Sequence, residues 1–412
     1  MPIIIICYFF AYFDRINISF AKFQLQDALT LSDTAYGLGA SLFVIGYVIF
    51  EVPSNMLLYR FGARKWLARI IISWGLATAA MVFVQATWQF YALRFLIGAM
   101  EAGFAPGVLY YLTTWFPASH RGRITALLFL APAFSGLIGS PLAGLILQKS
   151  EGLMGLSGWH WLFISGGLPC VPLGLLVLRV LKDKVEDAPW LDGEEKRWLI
   201  EHIRQQHSGV REKSFLEAIK TPGFIALAVV YFLVQVGSYG LNFWAPHLIR
   251  TAGVTDASTM GLLVAGPYIC GAIAMVVTGR WADSAGQRHH VLAGLLVIAA
   301  IGFAACGIFD HSLAILVVAL AFMGLGMVAA IPAFWSLPPK LATGVGAAGG
   351  IALINTLGQM GGIVSPYMVG RIRDLTGSTT PALYVISGAL LLGAGVVSFL
   401  LPLGLRSKER AE

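Results

Sequence analysis

Two pairs of charged residues interrupt apolar runs long enough to cross a bilayer, and no other residues in this chain are better placed to do chemistry. Asp14 and Arg15 are adjacent inside the run from Pro2 to Ala21, and Arg94 and Glu101 lie in the run from Trp88 to Leu112. One charged side chain at the centre of a membrane helix costs roughly 2.5–3.5 kcal/mol on insertion scales, and four left unpaired would cost about 10 kcal/mol. Such groups persist where they line a pathway, so the default reading is a buried ionic site.

Spacing says how these groups face. Glu101 follows Arg94 by two helical turns, so the two share a face about 10 Å apart along the axis. Neighbouring residues on a helix point about 100° apart, so Asp14 and Arg15 cannot both face one partner. The simplest arrangement sets the first and fourth segments across a polar cavity, with the four charges cancelling when all are ionised. A carboxylate drawn to Arg15 would leave the cavity negative, which is costly at low dielectric. Protonating Glu101 restores neutrality, so anion and proton favour each other's binding. Arg94 then positions Glu101 or balances its charge. A structural cluster locking the two segments together is the bland alternative.

The elements that hold these groups follow from composition. The 412 residues are 57% apolar and 12% charged, with a mean hydropathy of +0.76, far from a soluble domain. Twelve runs meet the length of about 20 residues that a spanning helix needs. They cover approximately 2–21, 36–58, 66–86, 88–112, 122–148, 159–181, 221–244, 258–279, 290–309, 312–334, 341–368 and 381–403. The expected fold is an all-α polytopic membrane protein.

Sorting the basic residues by loop gives its orientation. Of 28 Lys and Arg, 21 fall on the side that holds the C-terminus, five (Lys22, Lys149, Arg250, Arg371, Arg373) on the other, and Arg15 and Arg94 within segments. The positive-inside rule makes the first side cytoplasmic. The net charge of +7 therefore reports topology, and no nucleic-acid partner is implied. An even number of segments puts both termini on that side. The first segment lacks a basic leader, and Asp14-Arg15 interrupts it, so it reads as a spanning helix and not as a signal peptide.

The polar stretch Lys182 to Lys220 divides the chain into six segments and six. It contains Asp192-Gly-Glu-Glu-Lys-Arg-Trp-Leu-Ile-Glu, the pattern of an amphipathic, partly helical linker. The halves are residues 1–181 and 221–403, the linker is 182–220, and 404–412 form a cytoplasmic tail. Tyr59-Arg60-Phe-Gly62-Ala-Arg64 after segment two and Asp283-Ser284-Ala-Gly286-Gln-Arg288 after segment eight repeat at an offset of 224 residues. Two related halves about a central linker are a transporter architecture.

Here the sequence resembles a known family. The second copy of that loop is similar to the cytoplasmic signature of the major facilitator superfamily, and twelve segments in two six-helix, pseudo-symmetric halves cover essentially the whole chain. Asp14-Arg15 together with Arg94-Phe-Leu-Ile-Gly-Ala-Met-Glu101-Ala-Gly resembles the anion:cation symporter branch, whose bacterial members take up tartrate, phthalate, hydroxyphenylacetate and sugar acids. Phe50-Glu51-Val-Pro-Ser-Asn55, Trp115-Phe-Pro and Phe334-Trp-Ser-Leu-Pro338 have the same look.

The resemblance implies that Arg15 contacts a substrate carboxylate and that Asp14 and Glu101 are protonation sites. It makes Asn355, in Asn355-Thr-Leu-Gly358-Gln359, a substrate-binding residue. The superfamily loop usually carries an acid where the first copy has Tyr59, which puts a charge relay there in doubt. The loops at Arg60, Gly62 and Arg64 and at Asp283, Gly286 and Arg288 would form the cytoplasmic gate.

Tyr12, Tyr47, Trp335 and Gln359 are the remaining candidates for the cavity wall, with Tyr239, Asn242 and Ser336 also available in the second half. Helix–helix hydrogen bonding is as good an account of each polar member. Glu51, near the cytoplasmic end of its segment, reads as a structural or gating contact. The second half offers no acid inside a segment, since Asp256, Asp283, Asp310 and Asp374 read as loop or end positions. Gly136 to Gly144 and Gly344 to Gly350 let helices approach and bend; no Lys-Ser/Thr follows either run, so neither is a phosphate loop.

Four cysteines (Cys7, Cys170, Cys270, Cys306) sit in apolar runs without CxxC spacing and read as small core residues. His160, His247, His289 and His290 lack ligand spacing. No metal, no cofactor and no enzyme are indicated, with protons as the coupling ion. The function expected is proton-coupled import of a small organic anion, an aromatic or hydroxylated mono- or dicarboxylate, through the plasma membrane by a monomer embedded in lipid. An anion exchanger, a neutral-solute carrier on the same fold, or a non-transporting sensor of an organic anion are the alternatives.

Overall fold

The first helix outruns its apolar stretch. In the computed structural model, which describes residues 1–117, 124, 128, 130–207, 222–285, 288–309, 312–338 and 345–400, α1 spans Pro2–Leu29. It stops where Thr30 takes the left-handed backbone (φ 50, ψ 43) and returns its N–H to the Gln26 carbonyl. Ser32 then caps α2 (Asp33–Phe61) by accepting from the Ala35 N–H at 3.1 Å, a standard N-cap. Lys22, assigned above to a loop, is therefore inside α1 and fully buried.

Breaks in the remaining first-half segments fall at Gly and Pro. Gly62 (φ 88) turns the chain from α2 into α3 (Ala63–Ala79). The fourth segment, read above as continuous, is α4 (Thr87–Glu101) and α5 (Phe104–Trp115), parted immediately after Glu101. Gly103 holds φ 84 there, a conformation glycine adopts without steric cost, and a side chain at that position would run into Ser54. Interrupted helices in membrane proteins occur where they serve a cavity or site. The fifth segment, α6, is described over Leu130–Lys149 and carries a π-turn at Ser135–Gly139, a rare single-turn bulge of the kind that kinks helices. The sixth splits into α7 (Gly158–Gly167) and α8 (Cys170–Val180) at Pro169, since proline cannot continue the hydrogen-bond ladder.

The linker contributes α9 (Gly193–His207), whose Leu199, Ile200 and Ile203 pack on the first half. The second half supplies α10 (Pro222–Thr251), α11 (Ala257–Ala285), α12 (Arg288–Ile308), α13 (Leu313–Trp335), α14 (Val345–Thr376) and α15 (Thr380–Gly395). Among the described residues there is no strand; eleven spans are long and apolar enough to cross a bilayer, and α14, with 32 residues, has the length of a twelfth. Linker residues 208–220, Gly344 and the tail 404–412 lie outside the described residues.

The halves meet along three helix pairs, α2 with α14, α6 with α11 and α1 with α10. Glycine permits the closest approaches: a side chain on Gly37 would collide with the Pro366 carbonyl, and one on Gly370 with the Asp33 carbonyl. Gly144 lies in the same way against the Ala257 carbonyl. These contacts gather at the end of the molecule formed by the α1–α2 and α14–α15 turns, here called the far end. At the opposite, linker end the last turns of α2 stand open, with Met56 and Tyr59 exposed. Cys7, Cys170 and Cys306 are buried and unpaired, while Cys270 is only half-buried, a correction to its assignment as core.

Candidate functional site

The four intramembrane charges come together, but in crossed pairs. Arg15 donates from Nη2 to Glu101 Oε1 at 2.8 Å, and Arg94 Nη1 lies 4.0 Å from Asp14 Oδ2. Arg94 is thus the counter-ion of Asp14 and not the partner of Glu101, as the sequence reading had it. The cause is the 100° offset between neighbouring helix positions: α1 turns Arg15 toward the space between the halves and Asp14 into the interior of the first half. Arg15 keeps 17% of its side chain exposed, whereas the Arg94 and Asp14 side chains have none. Removing either member of so deeply buried a pair strands the other.

Close packing of α2 on α4 sets the surroundings of both arginines. A side chain on Gly98 would strike the Phe43 carbonyl and one on Gly46 the Phe95 carbonyl, so the two backbones nearly touch. Phe43 is thereby wedged between the guanidinium groups, its ring centre 5.3 Å from Arg15 and 4.9 Å from Arg94. Tyr12, one turn from Arg15 on α1, and Tyr47 complete a cage at 4.9 and 5.8 Å. Cation–π contacts of this kind, worth about 0.5–2 kcal/mol each, hold the guanidinium in place beside its bond to Glu101.

Across the gap the second half presents neutral groups. Gln359 on α14 accepts from Tyr239 at 3.1 Å and from Gln235 at 3.2 Å, both on α10. Trp335 donates to the Tyr231 hydroxyl at 3.3 Å. Asn355 donates from Nδ2 to Glu51 Oε1 at 3.0 Å, a bond between halves. The hydroxyl of Tyr268 on α11 bonds Asn242.

At the far end the halves are joined by an ionic cluster that the sequence reading missed. Lys22 pairs with Asp33 at 2.7 Å and lies 3.8 Å over the Trp244 ring of α10. Arg373 of α14 reaches the same carboxylate at 2.6 Å. Asp374 accepts the Asp33 and Thr34 N–H groups at 3.1 and 2.7 Å, capping α2 from the other half. His247 is buried between Phe23 and Trp244. One signal for Lys22 was available: it stands seven residues after Arg15, the same two-turn spacing that links Arg94 to Glu101.

The first-copy loop is built differently from its expectation as a gate. Arg60 is exposed, and the turn at Gly62 and Arg64 is tied to the linker by Asp183, which accepts the Arg64 N–H at 2.8 Å and would collide with a side chain on Gly62. An acid from 119 residues away thus stands beside the turn where Tyr59 replaces the expected one. In the second copy, Arg288 opens α12; the Asp283 side chain and Gly286 lie outside the described residues.

Two six-helix halves around an intramembrane ionic site define a membrane transporter. The profile of the Major Facilitator Superfamily matches residues 4–366 and 227–412, and the chain belongs to that family. It is 42% identical over 398 residues to a provisionally named tartrate transporter of Agrobacterium vitis, covering 96% of this chain and 88% of that one. It is 40% identical to a provisionally named metabolite transport protein, NicT, of Pseudomonas putida, with 96% and 91% covered. A quinolone resistance transporter of Acinetobacter baumannii is 40% identical over 95% of this chain and 91% of its own. Among solved structures, the partially occluded, inward-open xylose transporter XylE of E. coli superposes with a TM-score of 0.76 at 14% identity, over 97% of this chain and 98% of its own.

Proposed function

We propose that this transporter is a proton-coupled symporter that imports a small organic anion, an aromatic or hydroxylated carboxylate, by alternating access. The observation that carries this reading is the Arg15–Glu101 ion pair of 2.8 Å, with Arg15 partly exposed between the halves. A substrate carboxylate reaching Arg15 competes with Glu101 for the same guanidinium. Glu101, buried and displaced, is then an unpaired anion in a low-dielectric site, and protonation relieves it. Binding of anion and proton are linked through one arginine.

The remaining residues take their places around that exchange. Asp14 neutralises Arg94 and is a second proton site, reached only after Glu101 because it is fully enclosed. Tyr12, Tyr47, Trp335, Asn355 and Gln359 form the walls. The linker end is the cytoplasmic one, with both termini there and the protein in the plasma membrane, in keeping with the distribution of Lys and Arg. The far-end cluster is the extracellular gate in its closed state, and the protein works as a monomer. The names of the tartrate and NicT relatives agree with a small metabolite as substrate.

The test is substrate-driven proton uptake in proteoliposomes with a carboxylate panel, comparing wild type with Glu101→Gln and Arg15→Ala. Symport predicts inward proton flux with at least one carboxylate, loss of that flux with retained counterflow in Glu101→Gln, and loss of both in Arg15→Ala. Undiminished proton flux in Glu101→Gln would make Glu101 structural and end the proposal.

A further inference from the structure

Arg69 is a cation inside a membrane span that the transport site does not use. It stands six residues beyond Ala63, the first residue of α3, and so about 9 Å into that helix, within the span Ala63–Phe83. A charge at that depth is costly unless it is paired or reaches the headgroups. No acid among the described residues pairs with it. Nη1 has only Ser73 Oγ at 3.5 Å and Met100 Sδ at 3.8 Å, and Nε is buried without a hydrogen-bond partner. The guanidinium lies 4.1 Å over the Trp66 ring, which holds it in place but leaves its charge uncompensated.

The surroundings are laid out like half a bilayer. α3 packs on α2, α4, α5, α7 and α8, all in the first half, so it stands away from the space between the halves. Lys65, Arg69 and Leu76 share one face of α3, and Lys65 and Leu76 are exposed. On α4, Ala92, Leu96 and Met100 recur every four residues, and Ala92 and Leu96 are exposed. Arg69 reaches Met100 across the seam between the two helices. From the linker end inward, that seam therefore offers Lys65, then Arg69, then the leucines: charge first, hydrocarbon after. This order fits one phospholipid, its phosphate on the guanidinium and an acyl chain along Leu76 and Leu96. Trp66 stands where indole rings collect in membrane proteins.

The local charge selects the headgroup. Arg60, Arg64 and Lys65 lie at the same end, and Asp183 is engaged by the Arg64 N–H. A headgroup that brings its own ammonium meets like charge there, whereas one of net negative charge does not. We propose that Arg69, seated on Trp66, binds the phosphate of an anionic phospholipid of the phosphatidylglycerol type from the leaflet at the linker end. The lipid touches the break after Glu101 from outside: Met100 precedes Glu101 in the chain, and Trp66 donates at 3.0 Å to Ser54, which packs on Gly103.

The test uses the full chain in a neutral detergent, stripped of lipid, and titrated with palmitoyl-oleoyl phosphatidylglycerol, with phosphatidylcholine of the same chains, or with inorganic phosphate. Native mass spectrometry counts the lipid retained, and the Tm is followed in parallel. Wild type should bind the phosphatidylglycerol roughly tenfold more tightly than the phosphatidylcholine and gain Tm from it, while inorganic phosphate leaves the Tm unchanged. Arg69→Gln should lose the preference and the Tm gain, and Arg69→Lys should keep part of both. Arg280→Gln, which removes an exposed cation at the same end of the other half, should bind as wild type does. Equal retention of the two lipids by wild type overturns the proposal, whatever the fate of the variants. So does unchanged phosphatidylglycerol retention in a folded Arg69→Gln protein, or a loss as large in Arg280→Gln, which would reduce the effect to overall charge. Stabilisation by inorganic phosphate equal to that by phosphatidylglycerol would make this a site for a free anion and not for a lipid.

Discussion

Arg15 bonds Glu101, 86 residues away, at 2.8 Å, and not the aspartate next to it in the chain. The pairing joins α1 to the last residue of α4 just before that segment breaks. A single arginine, still 17% exposed, thus serves as counter-ion for the acid and faces the space between the halves.

Arg15→Lys should not rescue Arg15→Ala. Lysine keeps the charge but lacks the planar fork and the ring-stacking surface that Tyr12, Phe43 and Tyr47 grip. We expect a loss of at least about tenfold in kcat/KM, equivalent to about 1.4 kcal/mol, in uptake assays of whichever anion wild type carries. Uptake by Arg15→Lys equal to wild type would show that charge alone suffices.

Asp14 and Arg94 should behave as a unit in stability measurements. Removing one member of a buried pair costs about 3–5 kcal/mol because the other charge is stranded. Asp14→Asn and Arg94→Gln should each lower the Tm in detergent markedly, and the double variant should recover a substantial part of the loss. Additive losses would mean that the two side chains, 4.0 Å apart, are not coupled.

Closing the far end covalently should stop transport. Gln148 on α6 accepts from Ser258 on α11, so the two positions face each other between halves. In a Cys270→Ser background, since Cys270 is half-buried while Cys7, Cys170 and Cys306 are buried, oxidation of a Gln148→Cys/Ser258→Cys protein should arrest uptake, and reduction should restore it. Full uptake by the oxidised, cross-linked protein would rule out separation of α6 and α11 during the cycle.

Asp183 should matter for stability more than for transport selectivity. Its carboxylate accepts the Arg64 N–H at the start of α3, and loss of such a cap costs about 0.5–2 kcal/mol. Asp183→Ala should lower the Tm, and the KM for whichever anion wild type carries should stay as in wild type. A changed KM would give this turn a part in recognition.

Hydropathy, charge counts and spacing were enough for the helical class, the number of segments and the identity of the central charges. A bilayer demands long apolar helices and penalises each buried ion, so both facts are written locally. Partners were not. Arg94 with Asp14, Lys22 with Asp33 and Glu51 with Asn355 join residues up to 304 positions apart, and each depends on the rotation of one packed helix against another. The break after Glu101 was invisible for a related reason. Gly103 is one glycine among many in the chain, and neither its left-handed backbone (φ 84) nor its close approach to Ser54 on α2 is marked in the local sequence. Local hydropathy and spacing marked Asp14, Arg15, Arg94 and Glu101 as groups that had to be buried, and left Lys22 in a loop; tertiary packing decided which charge each of them met, because the faces of neighbouring helices meet only once both are in place.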